Sequence, residues 1–161
     1  MKIVVLSDTH IPQSAEDLPP KVYEALKGAD LILHAGDITS PQVVEKLRKN
    51  AELKAVWGNM DGAEIRNMFP PKQNISIGKF HIGLIHGWGA PAGLLEVVKK
   101  EFLLEEPQII IFGHSHQPLN LHKDGILFFN PGSPTDKVFT DVNSYGIITI
   151  DDEIKAEIIK I

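Results

Sequence analysis

The sequence contains no cysteine among its 161 residues. Disulfide bonds and thiolate-coordinated metal sites are therefore excluded, and any metal must be held by nitrogen and oxygen ligands. No stretch approaches the roughly 18 apolar residues of a membrane-spanning helix. The N-terminal apolar run turns polar at Ser7 and is too short for a signal peptide. We therefore expect a cytoplasmic protein that does not enter a membrane.

An excess of positive charge is also lacking, because 16 Lys and Arg residues face 21 Asp and Glu residues, for a net charge of −5. This balance gives no general attraction to nucleic acid, so we expect no stable nucleic-acid binding. A hydrophobic content of 43% is ordinary for a globular protein. The length predicts a single domain over residues 1–161. The sequence leaves the oligomeric state open, and a homo-oligomer is compatible with it.

The first half of the sequence alternates between strand-like and helix-like patterns. Apolar runs typical of buried strands cover residues 2–7, 30–35, 53–58 and 108–113. Helical spacing predicts helices over residues 20–28, 41–49 and 91–105. Ser40 is expected to be the N-cap of the second helix, with Pro41 at its first position. This alternation favours an α/β fold with parallel strands.

The second half is predicted to form hairpins. Residues 74–87 and 119–129 each contain two strand-like segments around a turn, and Asp124-Gly125 is a strong hairpin signal. Residues 145–161 form a third hairpin. Two mixed β-sheets packed together, with helices outside, would accommodate both halves.

Residues able to bind a metal follow the apolar runs at five places. They are Asp8 and His10, then Asp37, then Asn59 and Asp61, then His86, and finally His114 and His116. Ligands of α/β sheets bind beyond the carboxyl ends of the strands, so we expect these side chains to converge. In an extended segment the two side chains of the last pair would leave the same face, with their Cα atoms about 6.5–7 Å apart.

Each of these residues has an ordinary structural explanation when taken alone. A loop aspartate often caps a turn, and an isolated histidine is commonly a surface or core residue. These explanations would have to hold independently at five strand ends, which favours a shared site. Seven of these residues supply oxygen or nitrogen ligands, namely Asp8, His10, Asp37, Asn59, His86, His114 and His116. With one shared carboxylate, these seven would provide four contacts to each of two ions. Ions about 3.5–4 Å apart form the arrangement that activates water and clamps a phosphoryl group.

Other conspicuous residues are given mainly structural interpretations. His34, His81 and His122 are expected to be structural, because they lie within predicted strands or near a turn. The NPGS segment at residues 130–133 is either a turn or part of the mouth of the site. Trp88 either packs or lines a substrate cleft.

Taken together, the blocks resemble the calcineurin-like metallophosphoesterases. SDTH, AGDIT, GNMD, IHG and GHSH occur in the family's order up to residue 116, and the later NPGS also fits. The size and the terminal hairpins are most similar to the small single-domain YfcE-type phosphodiesterase branch. The resemblance implies a four-layer α/β/β/α sandwich of two mixed β-sheets flanked by helices.

The resemblance also assigns a role to each candidate ligand. It places Asp8, His10, Asp37 and His116 on a first metal, and Asp37 would bridge to a second ion held by Asn59, His86 and His114. Asp37, Asn59 and His86 are the expected catalytic residues. The implied reaction is hydrolysis of a phosphate diester by a hydroxide bridging two divalent ions. Mn²⁺ or Ni²⁺ is favoured, with Fe, Co and Zn as further candidates, because such ligands discriminate poorly among these metals.

Two other functions stay open. A phosphomonoesterase would use the same dinuclear centre, whereas a retromer subunit of this fold, with a degenerate metal site, is a protein-interaction scaffold. The complete ligand set favours catalysis, because burying these groups without metal would be costly. The absence of Arg and Lys from the blocks favours diesters over monoesters.

One position departs from the family pattern. Nuclease and phosphatase branches carry G-N-H-D/E, and Met60 stands here in place of that histidine. A thioether has no proton to donate, so the group that would protonate a leaving alcohol is not identified. We therefore predict faster hydrolysis of esters with acidic leaving groups.

Overall fold

The computed structural model describes residues 1–161 as an α/β fold of ten strands and four α-helices. The strands are β1 (Lys2–Leu6), β2 (Leu31–His34), β3 (Glu52–Ala55), β4 (Lys72–Ile77), β5 (Phe80–Ile85), β6 (Ile109–Ile111), β7 (Leu119–Lys123), β8 (Ile126–Asn130), β9 (Ser144–Ile150) and β10 (Ile154–Lys160). The helices are α1 (Pro20–Leu26), α2 (Pro41–Arg48), α3 (Ala63–Met68) and α4 (Leu94–Lys100). None of the helices combines the length and the apolar character needed to cross a membrane.

The strands form two mixed five-stranded sheets. The first has the order β10-β9-β1-β2-β3 and the second the order β4-β5-β6-β8-β7. Strands β1, β2 and β3 are parallel, as are β5, β6 and β8, while the hairpin partners at the sheet edges are antiparallel. The predicted sandwich of two mixed sheets is therefore confirmed.

Three apolar clusters hold the layers together. One lies between the sheets and includes Ile3 and Val5 of β1 with Ile109 and Ile111 of β6. A second packs the first sheet against α1, α2 and α3, and a third packs the second sheet against α4. Because alternate residues of a strand face opposite sides, β1 contributes Val4 and Leu6 to the helix-facing cluster.

The predicted hairpins and buried strands are confirmed, with several corrections. The predicted helix over 91–105 is a 3₁₀ turn at Pro91–Gly93 followed by α4, which ends at Lys100. The apolar spacing continued to Phe102 because that side chain is buried against Gly83, although the backbone has already left the helix. Ser40 is the N-cap residue of α2, but its hydroxyl bonds Gln42 Oε1 instead of a backbone N–H.

One strand boundary was also wrong, and one helix was not predicted. The third strand ends at Ala55, so residues 56–58 belong to the following loop. Helix α3 was missed because it spans six residues and buries only Ile65, too little for a periodic signal.

The registers bring the loops of each sheet to a common level. Leu6 of β1 pairs with His34 of β2, which pairs with Ala55 of β3. In the second sheet, Leu84 pairs with Ile111, which pairs with Phe129. The loops after these parallel strands therefore start side by side, and they carry the candidate ligands.

Candidate metal centre

All seven predicted ligands lie together where the loops of the two sheets meet. A first group consists of Asp8, His10 and His116, and its ligand atoms fall within 4.8 Å of one another. His116 Nε2 lies 3.4 Å from Asp8 Oδ1 and 3.3 Å from His10 Nε2. These three side chains are buried. Two imidazole nitrogens and a carboxylate oxygen directed at one another form a set that suits a divalent cation.

A second group consists of Asn59, His86 and His114. The amide oxygen Oδ1 of Asn59 lies 3.1 Å from His86 Nε2 and also 3.1 Å from His114 Nδ1. The other ring nitrogen of each histidine faces a backbone carbonyl, of Ala35 for His86 and of Gly89 for His114. Such carbonyl contacts orient the free nitrogen of each ring toward a shared centre.

Asp37 lies between the two groups. Its Oδ2 is 3.5 Å from His10 Nε2 and 3.4 Å from His86 Nε2. Asp8 Oδ1 lies farther from the second group, at 4.0 Å from His86 Nε2. Asp8 Oδ1 is likewise 3.9 Å from His10 Nε2, so Asp37 is distinguished from Asp8 by lying closer both to His10 and to His86.

The polar atoms of this centre do not satisfy one another's hydrogen-bonding capacity, and a bound cation would do so better. Asp8 Oδ1 is buried and has no hydrogen-bond partner in the structure. A buried carboxylate oxygen without a partner costs about 1–3 kcal/mol or more, and such atoms are rare in folded proteins. A divalent ion bound among these atoms would remove that penalty.

The backbone at the centre is held in unusual conformations. Five of the seven candidate ligands have positive φ angles, namely Asp8, His10, Asp37, His114 and His116, at values from 41° to 68°. Left-handed conformations are uncommon outside glycine, and when several cluster they mark sites where geometry serves function. The prediction of an extended pair is thus wrong for His114 and His116, which lie in a turn after β6 and face different groups.

Burial and the neighbouring charges shift the ionisation of these residues in the metal-free chain. Burial alone would lower the pKa of His86, but the carboxylates of Asp37 and Asp8 outweigh it and raise that pKa to about 9. For Asp37, burial opposes ionisation, while the contact with His86 and the Met60 N–H hold its pKa below the usual value. The carboxylates thus favour a positive charge on this imidazole, and a bound cation would take the place of its proton.

Two glycines allow the loops to approach this closely. A Cβ on Gly113 would lie 2.7 Å from Asp8 Oδ2 and would also strike the Ser7 hydroxyl. A Cβ on Gly58 would lie 2.7 Å from the backbone nitrogen of Asp37. Each of these glycines thus makes room for a carboxylate of the centre.

Asp61 holds two of the ligand loops together. It is buried, and its carboxylate accepts N–H groups from Asp37 (2.9 Å), Gly58 (2.7 Å) and Thr39 (2.7 Å). Both oxygens are occupied by backbone donors, so Asp61 ties the loop after β2 to the loop after β3. Asp61 was predicted from its place after a strand, but its contacts are those of a loop clamp.

Residues 130–136 hold the first and last ligand loops together, mainly through buried side chains. Asn130 Nδ2 donates to the Gly113 carbonyl at 2.9 Å, and the Ser133 hydroxyl donates to the Asp8 carbonyl at 2.7 Å. Thr135 Oγ1 donates to the Thr9 carbonyl at 2.6 Å. The NPGS segment was expected to form a turn or the mouth of the site, and these side-chain contacts were not predicted.

Asp136 was also missed from the sequence. Its Oδ2 lies 3.1 Å from His116 Nδ1, on the side of the ring away from Asp8, although the alignment falls short of a full hydrogen bond. The same carboxylate accepts the N–H groups of Val138 and Phe139. A carboxylate behind a metal-binding imidazole is a common arrangement, so a ligand search that included loop aspartates after NPGS could have found it.

The remaining histidines lie outside the centre. His34 is fully buried and bonds the Thr9 hydroxyl and the Gly36 N–H, and burial lowers its pKa to about 3. His81 contacts Ser76 on the surface, and His122 is exposed. Their expected structural roles agree with these positions.

Met60 and Trp88 both lie beside the centre. Met60 donates its backbone N–H to Asp37 Oδ1 at 2.8 Å, and its side chain is 61% exposed. The indole of Trp88 is half exposed and lines a cavity together with Asn59 and His86.

Known proteins share the sequence pattern and the fold of this chain. Residues 1–153 match the sequence profile of the calcineurin-like phosphoesterase superfamily domain. A probable metallophosphoesterase of Methanothermobacter thermautotrophicus is 40% identical over 164 residues, covering 99% of this chain and 92% of that protein. The structure of Vps29 from Entamoeba histolytica complexed with Zn²⁺ is 25% identical, with a TM-score of 0.78 over 99% of both chains. An archaeal phosphodiesterase shares the fold at 23% identity and a TM-score of 0.73, over 99% of this chain and 100% of that one.

Proposed function

Because the chain belongs to the calcineurin-like phosphoesterase superfamily, we propose that it is a phosphodiesterase that binds two divalent ions between its seven candidate ligands. The observation that carries this proposal is the position of Asp37. Its Oδ2 lies within 3.5 Å of His10 Nε2 and of His86 Nε2, which belong to different ligand groups. One carboxylate can thus serve both halves of the centre.

In this proposal Asp8, His10 and His116 hold one ion, Asn59, His86 and His114 hold the other, and Asp37 contributes to both. Two bound ions would supply a water of lowered pKa and would neutralise charge on the phosphoryl group. The chain itself contributes rigid positioning, because the ligands stand on short loops that Asp61 and residues 130–136 tie together. Burial of the carboxylates restricts water near the reacting group, which strengthens electrostatic interactions there.

The basic side chains beside the site are already engaged, which favours a diester substrate over a monoester. Arg66 donates to the carbonyls of Asp61 and Asn59, and its guanidinium lies 4.6 Å from the centre of the Trp57 ring. Lys72 donates to the Glu101 carbonyl and pairs with the Glu105 carboxylate. Both basic side chains beside the site are engaged, so a dianionic monoester would find no free cation there beyond the metal ions. A diester carries one charge fewer.

The direct test compares alanine variants of the two central carboxylates. We expect close to two ions per chain by mass spectrometry of the dialysed protein, and reversible loss of hydrolysis on chelation. Asp37→Ala should lose both ions, whereas Asp8→Ala should retain the second. Asp152→Ala, which changes an exposed carboxylate, is the matched control. Equal occupancy in the Asp37 and Asp8 variants would refute the bridge, and one ion or none in active protein would refute the dinuclear centre.

Binding of a protein partner is the second candidate function. Phe139 is 66% exposed and its ring lies 5.4 Å from that of His116, and the neighbouring Val138 is 79% exposed. Exposed apolar side chains at the mouth of a site can contact a partner. His116→Ala separates the two functions. A catalytic centre predicts loss of turnover with the fold retained, whereas retained turnover with loss of a partner would favour binding.

A further inference from the structure

A cavity of about 370 Å³ adjoins the second ligand group. It lies between the loop after β3, the start of β4 and the loop after β5. Its walls include two indoles, Trp57 and Trp88, with Ile85 and Pro71, and its surface is largely apolar. The candidate centre itself does not account for this cavity, because none of these four side chains is a metal ligand.

The cavity and the metal centre share two walls. Asn59 and His86 line the cavity, and their Oδ1 and Nε2 atoms face each other at 3.1 Å in the second ligand group. A phosphate bound at that group would therefore lie beside the cavity, which has room for one of its ester groups. The most direct occupant is thus the organic group of the substrate itself.

The chemistry of the walls selects an uncharged, planar group. Lys72 lines the cavity, but its ammonium donates to the Glu101 carbonyl at 2.5 Å and to Glu105 Oε1 at 3.0 Å, so it has little capacity left for an anion. Arg66 covers a face of Trp57 and bonds backbone carbonyls. Glu101 also lines the cavity, and its carboxylate disfavours an anionic ligand. The apolar surface that remains free for a ligand is that of the indoles, which favours the flat faces of aromatic rings.

The loop that carries Trp88 is attached to the metal centre. The Gly89 carbonyl lies 3.0 Å from His114 Nε2, whereas His114 Nδ1 faces Asn59. If Nδ1 binds the ion, Nε2 carries the proton and donates it to Gly89. Binding of the ion would then hold the Trp88 loop in place beside the cavity.

We infer that this cavity, which we call the indole cavity, binds a planar, uncharged ring of the substrate's ester group and so selects the substrates of the proposed phosphodiesterase. This inference rests on the proposed function, since it places the phosphorus at the second ligand group. Stacking of one ring on an aromatic side chain changes affinity by about tenfold or more. Substrates with a ring at that position should therefore be preferred over otherwise equal substrates with a methyl group.

The test uses non-hydrolysable and substrate pairs that differ only in the ring. Methyl phenylphosphonate is compared with methyl methylphosphonate, and the 5′-methylphosphonate ester of adenosine with the 5-methylphosphonate ester of ribose, by calorimetry on the Mn²⁺-loaded protein; each of these ligands carries a single negative charge, as a diester does. Hydrolysis of bis(4-nitrophenyl) phosphate is compared with that of methyl 4-nitrophenyl phosphate, which has the same leaving group. The variants are Trp88→Ala, Trp88→Phe and, as a control on the edge strand β7, Leu121→Ala. Trp88 is half exposed, so these variants should fold.

We expect the ring-bearing member of at least one ligand pair to bind about tenfold more tightly, and the pair that shows it indicates whether the ring is attached directly or through a sugar. Trp88→Ala should bring the ratio toward one, Trp88→Phe should restore part of it, and Leu121→Ala should leave it as in the unaltered protein. Equal or absent binding within both pairs would overturn the inference. Selective binding of the ring without any turnover would instead support the cavity and refute the proposed function.

Discussion

Replacing Gly58 by alanine should damage the candidate metal centre without replacing any of its ligands. The new Cβ would lie 2.7 Å from the Asp37 backbone nitrogen and 2.8 Å from its carboxylate carbon, distances at which one group has to move. Neither backbone can move easily, because the N–H groups of Gly58 and Asp37 both bond the same Asp61 oxygen. The strain should therefore fall on the Asp37 carboxylate, which lies between His10 and His86.

The expected size follows from this overlap. Overpacking of this kind costs about 1–3 kcal/mol, and alanine recovers about 0.4–1 kcal/mol by restricting the unfolded chain. We expect a net loss of about 1–2 kcal/mol in the free energy of unfolding of the metal-free protein. Displacing a group that orients metal ligands typically lowers affinity by about 10–100-fold, and both ions should be affected.

Gly62→Ala is the matched control. Gly62 lies four residues after Gly58 in the same loop and has a φ of −75°. A Cβ on Gly62 would have no neighbouring atom within 4 Å. Its stability should stay within about 0.5 kcal/mol of the unaltered protein. Urea unfolding of the metal-free variants and calorimetric titration with Mn²⁺ measure the two effects. The reasoning is refuted if Gly58→Ala matches Gly62→Ala in stability and still binds two ions with unaltered affinity.

Three further outcomes are expected. The rate of hydrolysis of matched diesters should depend steeply on leaving-group pKa. Met60→His should flatten that dependence, because it restores a proton donor worth about 10²–10⁴ in rate. A flat dependence in the unaltered protein would mean that another acid protonates the leaving group. Asp136→Asn should weaken metal binding by about 10–100-fold, because the negative charge behind His116 is lost. The amide still accepts the Val138 N–H, so the loop should be kept. An unaltered affinity for Mn²⁺ by calorimetry would contradict this prediction. Burial lowers the pKa of His34 to about 3, so below pH 6.5 the unfolded chain takes up a proton that the folded chain does not. The metal-free protein should lose up to about 1.4 kcal/mol per pH unit from this residue between pH 6.5 and 5, and urea midpoints of His34→Gln should lack that slope.

Local pattern was sufficient for the fold class and for the seven candidate ligands. Continuous apolar runs indicate strands buried on both faces, and chemistry-bearing residues directly after them have to meet at the carboxyl edge of the sheets. Asp8, His10 and Asp37 could therefore be singled out before any distance was known. Helix α3 and the end of α4 escaped this reasoning, since one is too short for a period and the other is followed by a buried Phe102.

The contacts that hold the centre could only be seen in the tertiary structure. Asn130 and Ser133 belong to a segment that was expected to form a turn or the mouth of the site, and Asp136 follows it. These residues contact loops 15 to 125 residues away in sequence. Spacing alone could not choose Asp37 over Asp8 as the carboxylate between the two groups. The family resemblance implied Asp37, and the structure adds the distances to His10 and His86, which are 3.5 and 3.4 Å for Asp37 against 3.9 and 4.0 Å for Asp8. Sequence spacing determines which residues reach the edge of a sheet, because the strand sets their direction. Which of them face each other across two sheets is decided by packing between segments remote in the chain.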